Sequence, residues 1–274
     1  MRRTFGWLLA LAAIALAGWR GVRAVDARER RALAAAAFAA DSELLATVSR
    51  QVGSATDSLA SLLNAAREDS SSGRPYLVVS IADNRLWYKQ GDEVLFTTRV
   101  ATGTGKHLEG AGKAKWKFET PRGRLTVQRK DIEPAWVPPD WHYVEAAQAR
   151  RKKLYALQRG RPLPMPGGST MLVSGNDVVV RTDDGRETPI EVREGTEIIV
   201  GDRLVMPPIG TNQRKYLGVL GVNRLYLGDG YGIHGTDAPT SIGRAASHGC
   251  IRVRNEDIEY LWRVVGVGTP VYVY

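Results

Sequence analysis

Residues 76–100 read YLVVSIADNRLWYKQGDEVLFTTRV. Three runs of β-branched and aromatic residues, 76–81, 86–89 and 94–100, are divided by Ala82-Asp83-Asn84 and by Gln90-Gly91-Asp92. The first residue types suit a pleated, half-buried surface, and Asn, Asp and Gly tolerate the backbone of tight turns. The pattern therefore predicts consecutive β-hairpins and sets the class of the chain beyond residue 74 as mainly β. A similar run follows at 124–128. Residues 133–139 are proline-rich and irregular, and 143–157 predict a helix whose basic run, Arg150, Arg151, Lys152 and Lys153, reads as a solvated face. Short runs at 170–173, 178–181, 190–192 and 197–200 predict a second set of strands, a β-rich insertion spanning about residues 140–214. Near the end, Asn255 is placed to cap a helix with apolar positions Ile258, Leu261, Trp262 and Val265 and with Glu256 and Asp257 in its first turn. Residues 270–274 read as a strand returning to the sheet.

The chain N-terminal to this domain is of another kind. Arg2 and Arg3 precede an apolar stretch at 5–17, the charged-then-hydrophobic layout of an export signal. The stretch is shorter than the roughly 20 residues of a comfortable membrane span. Ala15-Leu16-Ala17 has the form of a cleavage site, while Trp19, Arg20 and Arg23 suit an interfacial anchor. Residues 1–23 are thus read as a signal peptide or membrane anchor, and either places the remainder outside the cytoplasm. Residues 24–69 are rich in Ala, Leu, Glu and Arg without proline and predict a helical spacer. Phe38, Leu45, Val48, Val52, Ala55, Leu59 and Leu62 fall three or four apart in a narrow apolar stripe, expected to pack one or two helices on each other or on the main domain. Ser70-Ser71-Ser72-Gly73 reads as a linker over 70–74, which leaves 75–274 as the main domain.

Composition narrows the function classes. The 274 residues are 43% apolar, enough to bury a core, and 38 Lys and Arg against 29 Asp and Glu give a net charge of +9. Residues 1–73 hold nine basic and seven acidic residues and 74–274 hold 29 and 22, so the surplus lies in the main domain. Such a surface attracts polyanions. Export argues against nucleic acid as the partner and leaves acidic wall polymers. The single cysteine, Cys250, excludes an internal disulfide and any Cys-rich zinc module. A lone thiol kept in oxidising surroundings points to use of the thiol itself.

Two of the four histidines lie close to that thiol in sequence. Residues 233–236 read IHGT and 247–252 read SHGCIR, which places His234, His248 and Cys250 within 17 residues. One chemistry that uses such a group is nucleophilic catalysis, in which a cysteine thiolate attacks an acyl carbon and a histidine manages its proton. Cys250 is then the nucleophile and His234 the base, since a residue on a neighbouring strand approaches at a freer angle than His248 two positions away. Gly249 leaves the backbone bare where N–H groups can face an oxyanion. Arg252 falls on the same side as Cys250 in an extended chain and suits a carboxylate clamp. Lowering a thiol pKa from about 8.5 to about 6.5 raises the thiolate fraction roughly 25-fold at neutral pH, and the loss of nucleophilicity returns about 8-fold. Orientation and oxyanion binding must supply most of the rate. A second chemistry is a zinc site of His234, His248 and Cys250, a ligand set catalytic zinc uses, although two ligands separated by one glycine make an awkward pair. A third reading is a buried cysteine with two core histidines.

Residues 234–252 resemble the signature of the L,D-transpeptidase (YkuD-type) catalytic domain, in which a histidine precedes a Ser/Thr-His-Gly-Cys block and an arginine follows two residues later. The similarity extends outward through the opening strands and Thr-Gly turn at 77–105, Thr120-Pro121-Arg122-Gly123, Gly230-Tyr231-Gly232 and Gly268-Thr269-Pro270-Val271. The resemblance implies a mostly β, YkuD-like β-sandwich over 75–274 that acts without metal or cofactor on peptidoglycan stem peptides, as donor and as acceptor. It implies that Cys250 attacks the carbonyl preceding a terminal D-residue, that His234 transfers the proton with the Gly235 carbonyl orienting its ring, and that Ser247, His248 and Arg252 shape the pocket. The insertion at about 140–214 exceeds the compact pattern and points to a lid or a wall anchor. Trimming of stems by hydrolysis and a non-catalytic wall-binding role stand as alternatives.

Overall fold

The computed structural model describes residues 2–193 and 196–274, with side chains from Leu16 onward apart from those of residues 18, 21, 22, 24, 26 and 27. Beyond residue 74 the chain is mainly β. Strands Pro75–Ser80, Arg85–Gln90 and Glu93–Arg99 form the two expected hairpins, the first closed by Asn84 in the left-handed region at φ 48°. Pro270–Val273 joins the other edge of Pro75–Ser80 in parallel, and Gly123–Thr126 follows it antiparallel, completing a five-stranded sheet. A second sheet has the order Ile251–Arg252, Tyr231–His234, Asn223–Gly228 and Arg129–Ile132. Leu77, Val79, Leu86 and Val271 of the first sheet meet Leu225, Ile233 and Ile251 of the second in one core, which Ile258 and Leu261 of the C-terminal helix Asn255–Val264 complete. Each of these side chains is fully buried or nearly so, and burial of a large aliphatic side chain contributes about 1.5–3 kcal/mol.

One tie positions the functional segment. Ala245–Ser247 pairs in parallel with Thr102–Gly103, and Ala101 and Arg252 exchange backbone hydrogen bonds of 2.8 and 2.9 Å. Residues 245–252 are thus held between the first hairpins and the second sheet.

The insertion has a core of its own, with Leu157, Leu163, Met171, Val178 and Val205 buried together. It contains a four-stranded sheet, a three-stranded sheet and the helix Asp140–Ala149. That helix is shorter than the sequence predicts. Arg151 takes φ 53°, which ends it, and Lys153–Ala156 continues as a strand parallel to Arg203–Met206. The basic run is not simply a solvated face. Arg150 pairs with the buried Glu197 at 2.6 Å, Lys152 donates to the Gly201 carbonyl and Lys153 pairs with Asp202, so the run fastens one piece of the insertion to another. The run at 190–192 also falls outside a strand, and Glu187–Pro189 takes its place beside Asp177–Arg181. At the neck, Trp136 and Tyr216 exchange two 2.8 Å backbone bonds, and the buried Arg214 donates to the carbonyls of Pro138 and Pro207 and to the Asp140 carboxylate.

The N-terminal segment is one continuous helix, Arg2–Ser71. The apolar run read as an export signal lies within it, and its side chains up to residue 15 lie outside those described. The stripe does not pack helix on helix: Phe38, Leu45, Val52 and Leu59 are all exposed. The linker at 70–74 is also corrected, because Ser70 and Ser71 are helical and only Ser72 and Gly73 turn the chain. Residues from Leu62 onward form a compact unit with the β-rich part of the chain. Asp69 explains why the helix end belongs there. It is buried, accepts a hydrogen bond from the Tyr272 hydroxyl and pairs with Arg124 at 3.3 Å. A helix end anchored by such bonds has no reason to unwind into a linker.

Candidate active site

Cys250 occupies a turn made by its own neighbours. The buried Ser247 hydroxyl donates to the Cys250 carbonyl at 2.5 Å and accepts from the Gly249 N–H at 3.1 Å, closing residues 247–250 into a loop. Gly249 has φ +130°, and a Cβ there would lie 2.8 Å from the Tyr231 ring and 2.9 Å from the Glu119 carbonyl oxygen. Only glycine fits both the conformation and the space. The turn presents the half-buried Cys250 to a cavity of about 560 Å³. It also uses the Gly249 N–H internally, whereas the Cys250 N–H has no partner among the described residues.

His234 reaches the same cavity from the end of strand Tyr231–His234, which runs parallel to Ile251–Arg252 with His234 opposite Arg252. Its Nδ1 lies 2.6 Å from the Gly235 carbonyl oxygen, which can only accept, so Nδ1 carries the proton and Nε2 keeps its lone pair. The carbonyl is in turn held from behind. Asn255 accepts from the Thr236 N–H and donates to the Thr236 carbonyl, both at 3.1 Å, and its amide packs so closely on Gly235 that a Cβ there would fall 2.1 Å from Asn255 Oδ1. Asn255 is therefore not the helix cap: Arg254 holds the cap position, and the Asn255 amide is spent on the Thr236 backbone.

Both reactive groups rest neutral. Burial, reinforced by nearby Arg252 and Arg224, lowers the His234 pKa to about 4 against the pull of the Gly235 and Leu220 carbonyls. Burial pushes the Cys250 thiol up, only partly opposed by the Gly232 N–H and the two arginines. No resting thiolate–imidazolium pair is present. The Cys250 thiol points to the Gly230 carbonyl oxygen at 3.7 Å and shares the cavity with the His234 imidazole.

His248 faces a different neighbour. Its Nε2 donates to Glu145 Oε2 at 2.9 Å, its ring stacks on Trp141 with centroids 4.3 Å apart, and Phe118 meets it edge-on at 4.5 Å. Burial lowers its pKa and Glu145 partly restores it. Trp141 and Glu145 belong to helix Asp140–Ala149, so the insertion builds one wall of the cavity. No local signal announced either residue, which stand 107 and 103 positions before His248 in the chain. The His234 and His248 imidazoles hydrogen-bond to a carbonyl and to a carboxylate respectively. A second cavity of about 520 Å³ is lined by Thr104, Gly105, Thr120, Pro121 and Arg122 and shares Tyr231 and Lys117 with the first.

Comparison with known proteins places these residues in context. The YkuD family model, described as the L,D-transpeptidase catalytic domain, matches residues 74–273. The probable L,D-transpeptidase ErfK/SrfK of Salmonella typhimurium is 31% identical over 202 residues, 73% of this chain and 44% of that protein. The putative L,D-transpeptidase YkuD of Bacillus subtilis is 36% identical over 113 residues, 39% of this chain and 61% of that protein. The chain thus covers less than half the length of the first of these relatives. Among solved structures, an L,D-transpeptidase fragment from Xylanimonas cellulosilytica aligns with a TM-score of 0.38 at 16% identity, over 73% of this chain and 60% of that one.

Proposed function

The chain belongs to the YkuD family of L,D-transpeptidase catalytic domains, and we propose that it is a peptidoglycan L,D-transpeptidase that works through an acyl-enzyme on Cys250. The observation that carries the reading is the Ser247-closed turn, which presents Cys250 to the cavity that His234 and Arg252 also line. The Cys250 sulfur attacks the carbonyl carbon preceding the terminal D-alanine of a stem tetrapeptide, and its proton passes to Nε2 of His234. The Cys250 N–H donates to the developing oxyanion, a contribution of about 3 kcal/mol where such donors have been removed. As the C–N bond breaks, the proton moves to the departing nitrogen, D-alanine leaves and a thioester remains. An amine of a neighbouring stem then attacks the thioester carbon, a C–N bond replaces the C–S bond, and the amine's surplus proton returns through His234 to the thiolate. Arg252, which makes no ion pair among the described residues, suits a donor carboxylate. Water in place of the amine gives stem trimming, the second outcome of the same intermediate.

The charged-then-apolar N-terminal run supports an extracytoplasmic location, by cleaved signal or by anchor, with membrane contact through the N-terminus. The basic surplus of the catalytic part supports attraction to an anionic wall. Intact-mass spectrometry after exposure to a carbapenem tests the reading. A one-to-one covalent adduct that disappears in Cys250→Ala is the expected result. Absence of an adduct, with binding to sacculi retained, would leave a wall-binding protein.

A further inference from the structure

The cavity lining holds both signs of charge: Lys115, Lys117 and Arg252, and the insertion's Glu145 and Glu197. The two lysines are already paired with Glu109 and Glu119 in exposed ion pairs, whereas Arg252 makes no ion pair among the described residues. The two glutamates differ in availability. Glu197 is closed off, its side chain only 3% exposed, with Arg150 at 2.6 Å and the His142 ring at 3.4 Å. The Glu145 side chain is 45% exposed, and its hydrogen-bond partner is His248, two residues from Cys250. Trp141 stacks on that histidine and fixes its ring, so the carboxylate is held at a defined place in the cavity. A half-exposed carboxylate in a cleft attracts an ammonium group by charge and by charge-assisted hydrogen bonds.

We propose that Glu145 is the specificity residue that draws the acceptor's ammonium group to the thioester, and that the insertion thereby sets the balance between amine transfer and hydrolysis. The proposal rests on the acyl-enzyme reading above and assigns the acceptor side of it to one carboxylate. Water gains nothing from Glu145, whereas a cationic amine is concentrated beside the thioester before it gives one proton to solvent and attacks as the free amine. Asp229 also lines the cavity but lies exposed at its rim, in the turn preceding Tyr231.

The experiment uses the full chain, a tetrapeptide donor and two acceptors: a stem peptide with a side-chain amine, and hydroxylamine, which is uncharged at neutral pH. The ratio of amine product to hydrolysed donor is measured at subsaturating acceptor. Glu145→Gln is expected to lower the ratio about tenfold for the cationic amine and to change it less than about twofold for hydroxylamine. Raising salt from about 50 to about 500 mM is expected to lower the wild-type ratio and leave that of the variant nearly flat, since only a charge–charge attraction is screened. Glu145→Asp is expected to recover part of the ratio, and Asp229→Asn to move it less than about twofold. An equal fall for both acceptors, or a ratio unchanged in Glu145→Gln, would overturn the proposal. Carbapenem adduct formation is followed in each variant to identify misfolded protein. If the wild type releases no D-alanine, the acyl-enzyme reading itself fails, and that outcome is distinct from an unchanged ratio.

Discussion

Replacing Asn255 separates two roles that the sequence does not distinguish. As a helix cap it would be exchangeable for Asp with little effect, because both accept from backbone N–H groups. In the structure it both accepts from and donates to the backbone of Thr236, itself 3% exposed. Asn255→Ala removes two hydrogen bonds, each contributing about 1 kcal/mol net, and leaves a buried N–H and C=O without partners at about 1–3 kcal/mol each if no water enters. A loss of about 2–4 kcal/mol is expected, which for a unit of this size lowers Tm by roughly 5–15 °C. Asn255→Asp keeps one bond but turns a carboxylate oxygen toward the Thr236 carbonyl, and should be at least as destabilising as Ala near pH 7. Both variants also free the Gly235 carbonyl that fixes the His234 tautomer, so Cys250 acylation should slow at least tenfold below the melting range. Thermal denaturation and the rate of carbapenem adduct formation provide the two readings. An Asn255→Asp protein as stable and as fast as wild type would refute the backbone-clamp account and restore the cap.

Two further predictions concern the proposed nucleophile and its partner. Gly249→Ala should cost about 2–4 kcal/mol, because the new methyl group meets the Glu119 carbonyl oxygen, which cannot rotate away, and φ is +130°; a urea midpoint within error of wild type would contradict it. His234 gives stability a pH dependence whose sign follows from its lowered pKa. Between about 6.5 and about 4 the unfolded chain binds a proton that the folded chain refuses, so stability is full above pH 6.5 and falls as pH drops toward 4, by up to about 3 kcal/mol. Urea unfolding at pH 7 and pH 5 should show this loss in wild type and a smaller one in His234→Gln.

The legible parts of the fold are those whose signal is local. The hairpins at 75–99 follow from side-chain alternation interrupted by turn residues, and Asn84 turns the chain where the sequence places a turn. The HGT and SHGCIR segments were legible because scarce reactive residue types crowd together, and the structure brings Cys250, His234, Ser247, His248 and Arg252 to one cavity. Asn255 misled because capping and backbone clamping call for the same amide, and only the chain folded against it decides between them. The helix expected over 143–157 overran because apolar spacing continues past Ala149, whereas the left-handed turn at Arg151 is set by the contacts of residues 150–153 with Glu197, Gly201 and Asp202. The linker failed for a similar reason, since serine-rich composition suggests flexibility and Asp69 supplies an anchor that composition does not contain. Glu145 and Trp141 were invisible because their meaning depends on an insertion folding back across more than a hundred residues.

Arg214 holds the two ends of that insertion with one side chain, reaching Pro138 and Asp140 where the chain leaves the main domain and Pro207 just before it returns. A segment whose ends are stitched at a single point, and which carries its own core, can be exchanged as a cassette without resetting the sheets that carry the nucleophile. The cleft is thus divided into parts free to change at different rates. The segment with Cys250, His234 and Arg252 is locked by glycine geometry and backbone pairing, while the insertion reaches the same cavity from a core of its own.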